Sequence, residues 1–304
     1  MNPKRLVSIY LGMFISMVCW SLSFIWYKEA YLYFGPMATI FSRLVISGTL
    51  LLLLAWLGNK LKIEKKHFIL FFLAAFFEPF LYFMGESFGM QLVSSVTAAV
   101  IVSTIPVFTP IIASFFYKEK LSFINIAGIV ISFSGVALVI IGKGLKLEAS
   151  TTGVILMFVA VAAALGYSIV LKKLIPHYEP ITIVAIQNAI GAFMFAPLFF
   201  ILEWNTFALG FSVVAFIPIL KLSVFASSIA FILYAYGVNA IGLSKANIFT
   251  NLIPVLTSIF AFFYLNEHFT FIKITGIIIT VAGLFLSQIN PSLYRRLLGL
   301  FIKK

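Results

Sequence analysis

Long apolar runs follow one another along the whole chain, and only short polar segments separate them. Each run reaches the roughly 20 residues that a helix needs to cross a bilayer. Within lipid the backbone must satisfy its hydrogen bonds inside its own segment, so runs of this length are helices. The pattern therefore predicts an all-α, polytopic membrane protein of ten transmembrane helices. Their predicted bounds are about 8–28, 36–57, 68–90, 94–117, 122–142, 152–172, 180–202, 216–238, 244–265 and 270–289.

Two segments, the N-terminus and residues 203–218, need a separate interpretation. The first apolar stretch, after Lys4 and Arg5, is longer than the roughly 7–15 residues of a signal-peptide core. It also lacks a small-x-small cleavage site, so we predict that it is the first helix. Residues 203–218 are the longest stretch of mixed character, and we predict that they lie along the membrane interface.

The charged residues are few and mostly basic. The chain of 304 residues is 62% hydrophobic and 10% charged, with a mean hydropathy of +1.14, whereas soluble domains have about 25% charged residues. The 21 Lys and Arg against nine acidic residues give a net charge of +12. These basic residues occupy the gaps between apolar runs, as expected of charges that orient a membrane protein. We therefore predict a lipid bilayer and not nucleic acid as the partner.

The distribution of Lys and Arg also predicts the orientation. With the N-terminus in the cytoplasm, the cytoplasmic segments carry 15 of them and the external segments carry five, while Arg43 lies within a helix. Cytoplasmic loops are enriched in Lys and Arg, so both termini are predicted to be cytoplasmic.

An internal repeat divides the chain into two halves. Residues 89–138 match residues 237–286 at 18 of 50 positions when the chain is shifted by 148 residues. Shared Leu or Ile would be expected of any two apolar helices, but shared Pro, Glu and Gly are not. We predict a first repeat at 1–148 (helices 1–5) and a second at 149–304 (helices 6–10), together forming one domain. The diagnostic pairs are Pro106 with Pro254, Glu119 with Glu267, Gly128 with Gly276, and Gly135 with Gly283.

The two halves are predicted to face opposite ways, because each contains five helices, an odd number. The loop around Glu119 has two flanking lysines, as a cytoplasmic loop should, whereas the equivalent loop around Glu267 has Asn and His. The predicted architecture is thus two five-helix inverted repeats. Such repeats are typical of secondary transporters, whose substrate site lies near the membrane midplane between the repeats.

With these features the chain resembles the drug/metabolite transporter superfamily, in its EamA-type branch. The resemblance covers nearly the whole chain and implies a central cavity between the repeats. It also implies secondary-active export of small metabolites, such as amino acids, nucleobases or drug-like compounds, by alternating access across a bacterial inner membrane. The residues that carry it are Pro36 and Arg43, then Pro106, Glu119, Gly128 and Gly135, then Pro254, Glu267, Gly276 and Gly283.

Three ionisable residues stand out inside the predicted helices: Arg43 in helix 2, and Glu78 and Glu86 in helix 3. Such groups cost about 2.5–3.5 kcal/mol at a helix centre on insertion scales and usually mark functional sites. We predict that all three bind substrate and that Glu78 and Glu86 couple transport to protons. The two glutamates depart from the neutral helix 3 expected of the family, which indicates a distinct substrate or coupling ion. The alternative is a buried structural ion pair, such as Arg43 with Glu78.

Helices 4 and 9 carry prolines at matching depths, Pro106 and Pro254, which we predict to act in gating. Asn247 and Asn251 share a helix face with Pro254, and Ser103 is the counterpart of Asn251 in the first repeat. Helix curvature and interhelical hydrogen bonds are the alternative explanations. The complete set of predicted substrate-binding residues is Trp20, Arg43, Glu78, Tyr82, Glu86, Ser103, Gln187, Tyr234, Asn247 and Asn251.

The remaining residue types argue against an enzyme. Cys19 is the single cysteine, and the three histidines fall in predicted loops without a metal-ligand spacing. The chain has no Asp and no phosphate-binding G-x-x-x-x-G-K-[ST] motif. We therefore predict no metal, no cofactor and no catalytic residues, with a small molecule and protons as the partners besides lipid. A channel or a non-transporting membrane protein remains the alternative function, and the oligomeric state is left open.

Overall fold

The computed structural model describes residues 3–108, 123–141, 149–210, 212–267 and 269–288, and nearly all of them are helical. We number the apolar helices α1 to α10 in chain order. Their bounds are Pro3–Ala30 (α1), Pro36–Leu57 (α2), Lys65–Leu92 (α3), Ser95–Phe108 (α4), Phe123–Ile140 (α5), Thr151–Leu174 (α6), Pro180–Leu202 (α7), Val213–Ile241 (α8), Lys245–Leu265 (α9) and Phe271–Ser287 (α10).

Eight of these helices are long and apolar enough to cross a membrane, and α4 and α10 are shorter apolar helices in the described part of the chain. The interfacial interpretation of residues 203–218 was wrong for its second half. A short helix, Trp204–Gly210, follows α7, but α8 already begins at Val213. The reason is that residues 213–220 are almost entirely apolar and extend the helix. Residues 109–117 of predicted helix 4, and Glu119, lie outside the described residues.

The two halves are related by a pseudo-two-fold symmetry: exchanging each helix for its repeat counterpart reproduces the main helix–helix contacts. Each of α2, α4 and α5 packs against its own counterpart, which is α7, α9 and α10 respectively. The pairing of α3 with α6 is mirrored by the pairing of α8 with α1. Gly128 of α5 lies against Ser287 of α10, and Gly135 lies against Thr280, so these two counterpart helices run antiparallel. The structure thus has the predicted fold of two five-helix inverted repeats.

The tightest of these pairings, α5 with α10, depends on the glycines of the repeat. A Cβ on Gly128 would collide with the backbone at Leu286 and Ser287, and one on Gly283 would collide with the backbone of Ser132. Helices in lipid gain most of their association energy from close packing, which small residues permit. The repeated glycines thus hold the last helices of the two halves together.

The N-terminus of α2 is capped by a residue from the other half. Gly35, at the N-cap position, has no side chain to offer. Instead the Glu203 carboxylate accepts hydrogen bonds from the backbone N–H groups of Met37 (3.2 Å) and Ala38 (2.9 Å). A carboxylate at this place satisfies N–H groups that lack helical partners and also interacts favourably with the helix dipole.

We expect Glu203→Gln to lower the free energy of unfolding by about 1 kcal/mol, the usual cost of losing a helix cap. The amide keeps one acceptor oxygen but loses the charge and the second hydrogen bond. The matched control is Glu179→Gln, because Glu179 precedes α7, makes no cap hydrogen bond and forms only an exposed ion pair with Lys60. Thermal unfolding of both variants in detergent measures the difference, and equal melting temperatures would contradict the cap.

Candidate functional site

Four helices depart from regular α-helical geometry at matched positions in the two halves. The α3 helix contains a π-helical segment, Phe76–Leu81, and α8 contains the equivalent segment, Leu222–Ala230. The α4 helix has a turn at residues 103–104, and α9 has a 3₁₀ segment, Thr250–Leu252. Broken helices in corresponding positions of two repeats are the usual sign of a transporter's binding region.

A cavity lies between the halves beside these breaks, with an unfilled space of about 730 Å³ that includes its part open to solvent. It is lined from both halves, by α1, α2, α3 and α4 of the first and by α6, α8 and α9 of the second. Seven of the predicted binding residues line it: Trp20, Arg43, Glu78, Tyr82, Glu86, Tyr234 and Asn247.

Equivalent positions of the two repeats line this cavity. Phe83 and Phe231 are 148 residues apart, as are Glu86 and Tyr234, and all four line it. Although the positions are equivalent, the chemistry is not. The charged side chains of the lining all come from the first half, because Glu78 and Arg43 correspond to neutral residues in the second half.

Arg43 is held in a buried hydrogen-bond network. Its side chain is 2% exposed, and its Nε donates to Ser227 Oγ on α8 while its Nη1 donates to the Tyr27 hydroxyl on α1. The guanidinium also lies 4.2 Å from the centre of the Phe83 ring, a cation–π distance. These contacts join both halves at the depth of the cavity.

The two glutamates differ in their surroundings. Glu86 accepts a hydrogen bond from the Tyr82 hydroxyl at 2.9 Å. The Glu78 side chain is 7% exposed and makes no hydrogen bond or ion pair with any described residue. The ion pair of Arg43 with Glu78 does not form, since no described carboxylate oxygen lies within 4.0 Å of the Arg43 nitrogens. Glu78 therefore lines the cavity without a partner among the described residues.

Aromatic and amide side chains complete the wall formed by α1, α8 and α9. The Trp20 ring lies 5.2 Å from that of Phe231 and 5.1 Å from that of Tyr234. The Tyr234 hydroxyl donates to Asn247 Oδ1. This arrangement presents flat apolar faces together with oriented polar groups, which is typical of small-molecule sites.

Three predicted binding residues and both predicted gating prolines do not line the cavity. Ser103 bonds to the Val100 carbonyl of its own helix, so its hydroxyl is already satisfied. Asn251 accepts from Gln288 of α10 at 3.1 Å, and Gln187 accepts from Tyr167 at 3.0 Å. Gln187 and Asn251 thus join helices, as the alternative explanation stated, whereas the Ser103 bond stays within α4. Pro106 and Pro254 are buried and follow the turns of α4 and α9.

Tyr167 and Phe231 were missed in the sequence, although both line the cavity. Each of them has a repeat counterpart that also lines the cavity, Ser23 for Tyr167 and Phe83 for Phe231, but neither counterpart was among the predicted residues. Tyr167 lies 144 residues after Ser23, at the offset that aligns Pro36 with Pro180. Applying the repeat to the predicted residues would therefore not have identified either of them.

The histidines give one contact that sequence spacing did not predict. The rings of His67 and His177 stack at 4.7 Å, and His67 Nδ1 lies 2.8 Å from the Tyr178 hydroxyl. Among the described residues, no group of three or more His, Cys, Asp or Glu side chains is arranged to hold a metal ion.

Comparison with known proteins agrees with this architecture. Residues 7–141 and 151–288 each match the EamA-like transporter family. A protein named "Uncharacterized transporter" from Archaeoglobus fulgidus is 25% identical over 272 residues, covering 90% of this chain and 95% of its own. "Uncharacterized transporter YcxC" from Bacillus subtilis is 27% identical over 279 residues, covering 88% and 89%. One solved structure superposes with a TM-score of 0.71 at 13% identity, over 93% of this chain and 98% of its own, and so shares the fold.

Proposed function

Because the chain belongs to the EamA-like transporter family, we propose that it is a secondary-active exporter of small metabolites that works by alternating access. The observation that carries the proposal is the cavity between the inverted halves, which contains the partnerless carboxylate of Glu78 beside four broken helices. In this proposal the two repeats, 1–148 and 149–304, form one transport domain and move relative to each other during the transport cycle. Pro106 and Pro254 follow the turns of α4 and α9, where such a movement needs flexibility.

We further propose that transport is coupled to protons through Glu78, with Glu86 as the second coupling residue. A carboxylate enclosed in a membrane cavity is costly in its charged form unless it has a partner. Loading a proton, or a substrate, onto Glu78 relieves that cost, so the two ligands are linked. The high Lys and Arg content of one set of loops supports a placement in the bacterial inner membrane with both termini in the cytoplasm.

Counterflow in proteoliposomes tests whether the protein is a carrier. We expect saturable exchange of at least one member of a radiolabelled panel of amino acids, nucleobases and amines, because a carrier must bind its substrate at each cycle. An ohmic, non-saturating current would favour a channel instead. Absence of both would favour a non-transporting membrane protein.

Glu78→Gln tests the coupling. We expect accumulation driven by a proton gradient to be lost, while counterflow at saturating substrate persists, because the amide cannot exchange a proton. The control is Glu29→Gln, since Glu29 pairs with Lys221 (3.2 Å) away from the cavity, and it should keep both activities. If the Glu78→Gln protein still accumulates substrate uphill under a proton gradient, Glu78 does not couple transport.

A further inference from the structure

The charge of the cavity wall is unbalanced. Two carboxylates, Glu78 and Glu86, line it together with one guanidinium, that of Arg43, and no other described charged residue does so. The equivalent positions in the second half are Ala226, Tyr234 and Gln187, which bring no compensating charge. With both carboxylates ionised the wall has one negative charge in excess.

The two carboxylates differ in their hydrogen bonding. Arg43 is bound to Tyr27 and Ser227, and Glu86 is bound to Tyr82. These hydrogen-bonded side chains, here called the Arg43 cluster, lie on α1, α2, α3 and α8 and include one guanidinium and one carboxylate of opposite charge. Glu78 stands outside the cluster, nine-tenths buried and without a partner among the described residues.

Aromatic side chains line the same cavity as the Glu78 carboxylate. Tyr167 of α6 and Tyr234 of α8 line this cavity from the second half, and Trp20 packs directly on Tyr234. A cation is attracted to the faces of such rings as well as to a carboxylate. An apolar body gains from the same rings by leaving water. An anion gains from neither the free carboxylate nor the ring faces.

We propose that the substrate of this cavity is an organic cation, a protonated amine carried on an aromatic or apolar body. The inference rests on the proposed transport function and assigns the substrate class of the same site. The ammonium group lies at Glu78 and the apolar body lies against Trp20 and Tyr234. A zwitterion would also need a positively charged partner for its carboxylate. The only guanidinium of the described lining, that of Arg43, is already bound to Tyr27 and Ser227. A neutral aromatic molecule would leave Glu78 without a counter-charge.

Four compounds that share a phenyl ring and differ in charge test the substrate class. They are phenethylamine (cation), phenylalanine (zwitterion), 3-phenylpropionate (anion) and 2-phenylethanol (neutral). Their binding is measured by titration calorimetry on the full chain in nanodiscs of zwitterionic lipid at pH 7, with empty nanodiscs as the blank. We expect phenethylamine to bind at least about tenfold more tightly than each of the others, since a hydrogen bond to a charged group is worth on the order of a tenfold change.

Glu78→Gln should lower the affinity for phenethylamine by about tenfold and leave the other three compounds nearly unchanged. Trp20→Leu should weaken all of the ligands that bind, to a similar extent, because it removes a shared contact of the ring. Glu29→Gln removes a carboxylate outside the cavity and should preserve the wild-type ranking. Should Glu78→Gln not fold, the wild-type ranking and the Trp20→Leu protein still decide the matter.

The inference is overturned if phenethylamine does not bind, if any of the other three compounds binds as tightly, or if Glu78→Gln keeps the preference for the cation. These outcomes are separable from failure of the transport function, because binding is measured without a gradient. Counterflow of a compound of another charge class would keep the transporter and remove the cationic substrate. Cation-selective binding with no counterflow would keep the site and remove transport.

Discussion

Gly283→Leu will prevent stable folding of the protein. The leucine Cβ would overlap the backbone of Ser132 on α5, and a backbone cannot move aside as the end of a side chain can. Inserting atoms into a well-packed interface typically costs about 1–3 kcal/mol even when side chains can adjust. Here α5 and α10 must separate, so we expect a larger loss and little monodisperse protein by size-exclusion chromatography.

The control for this substitution is Gly210→Leu, which adds the same side chain at the end of the short helix Trp204–Gly210. The nearest atom to a Cβ on Gly210 is the Tyr33 carbonyl oxygen at 3.6 Å, an ordinary contact. This variant should purify like the wild type. If Gly283→Leu yields as much monodisperse protein with the same melting temperature, close packing at the glycines is not what holds α5 to α10.

Arg43→Leu will greatly reduce both stability and transport. The substitution removes the only positive charge of the described cavity lining and leaves Tyr27, Ser227 and the nearby Glu86 without their counterpart. Removing one member of a buried charged cluster costs about 3–5 kcal/mol. If half of that cost falls on the transport step, the rate drops by roughly 10- to 70-fold. Thermal unfolding and counterflow measure the two effects.

A second substitution separates loss of charge balance from loss of packing. Adding Glu86→Gln to Arg43→Leu removes the carboxylate that has lost its counterpart, so part of the stability should return. Arg43→Lys keeps the charge but cannot donate to Tyr27 and Ser227 in the same fork, and should lie between wild type and Arg43→Leu. If the double variant is as unstable as the sum of the two single variants, the Arg43 cluster is not held together by its charges.

The helices could be predicted because each depends on the apolar residues of its own segment. Residues 180–202, for example, form an apolar run opened by Pro180, and α7 spans the same residues. The boundary at residue 213 was missed because an amphipathic and a membrane-spanning segment can have the same local composition. The π-helical segment around Glu78 was not predicted either, since the sequence there shows only Pro79, and the equivalent segment of α8 has no proline at all.

The candidate site was predicted in part for the same reason. A charge inside an apolar run is conspicuous, so Arg43, Glu78 and Glu86 could be selected without a structure. Neutral polar residues are not conspicuous, because Ser103, Gln187 and Asn251 serve equally well in a cavity or between helices. Tyr27, which holds Arg43, lies at the end of an ordinary apolar run and had no signal of its own.

The sequence by itself determined that this chain spans a membrane as two opposed five-helix halves. Lipid demands about 20 apolar residues per crossing, and an odd number of crossings per repeat inverts the second copy. Only the tertiary structure decided which charges balance one another. Arg43 is bound to Tyr27 and Ser227, residues 16 and 184 positions away, and Glu78 has no described partner. Such pairings depend on how distant helices meet, and no local pattern of hydrophobic and polar residues encodes them.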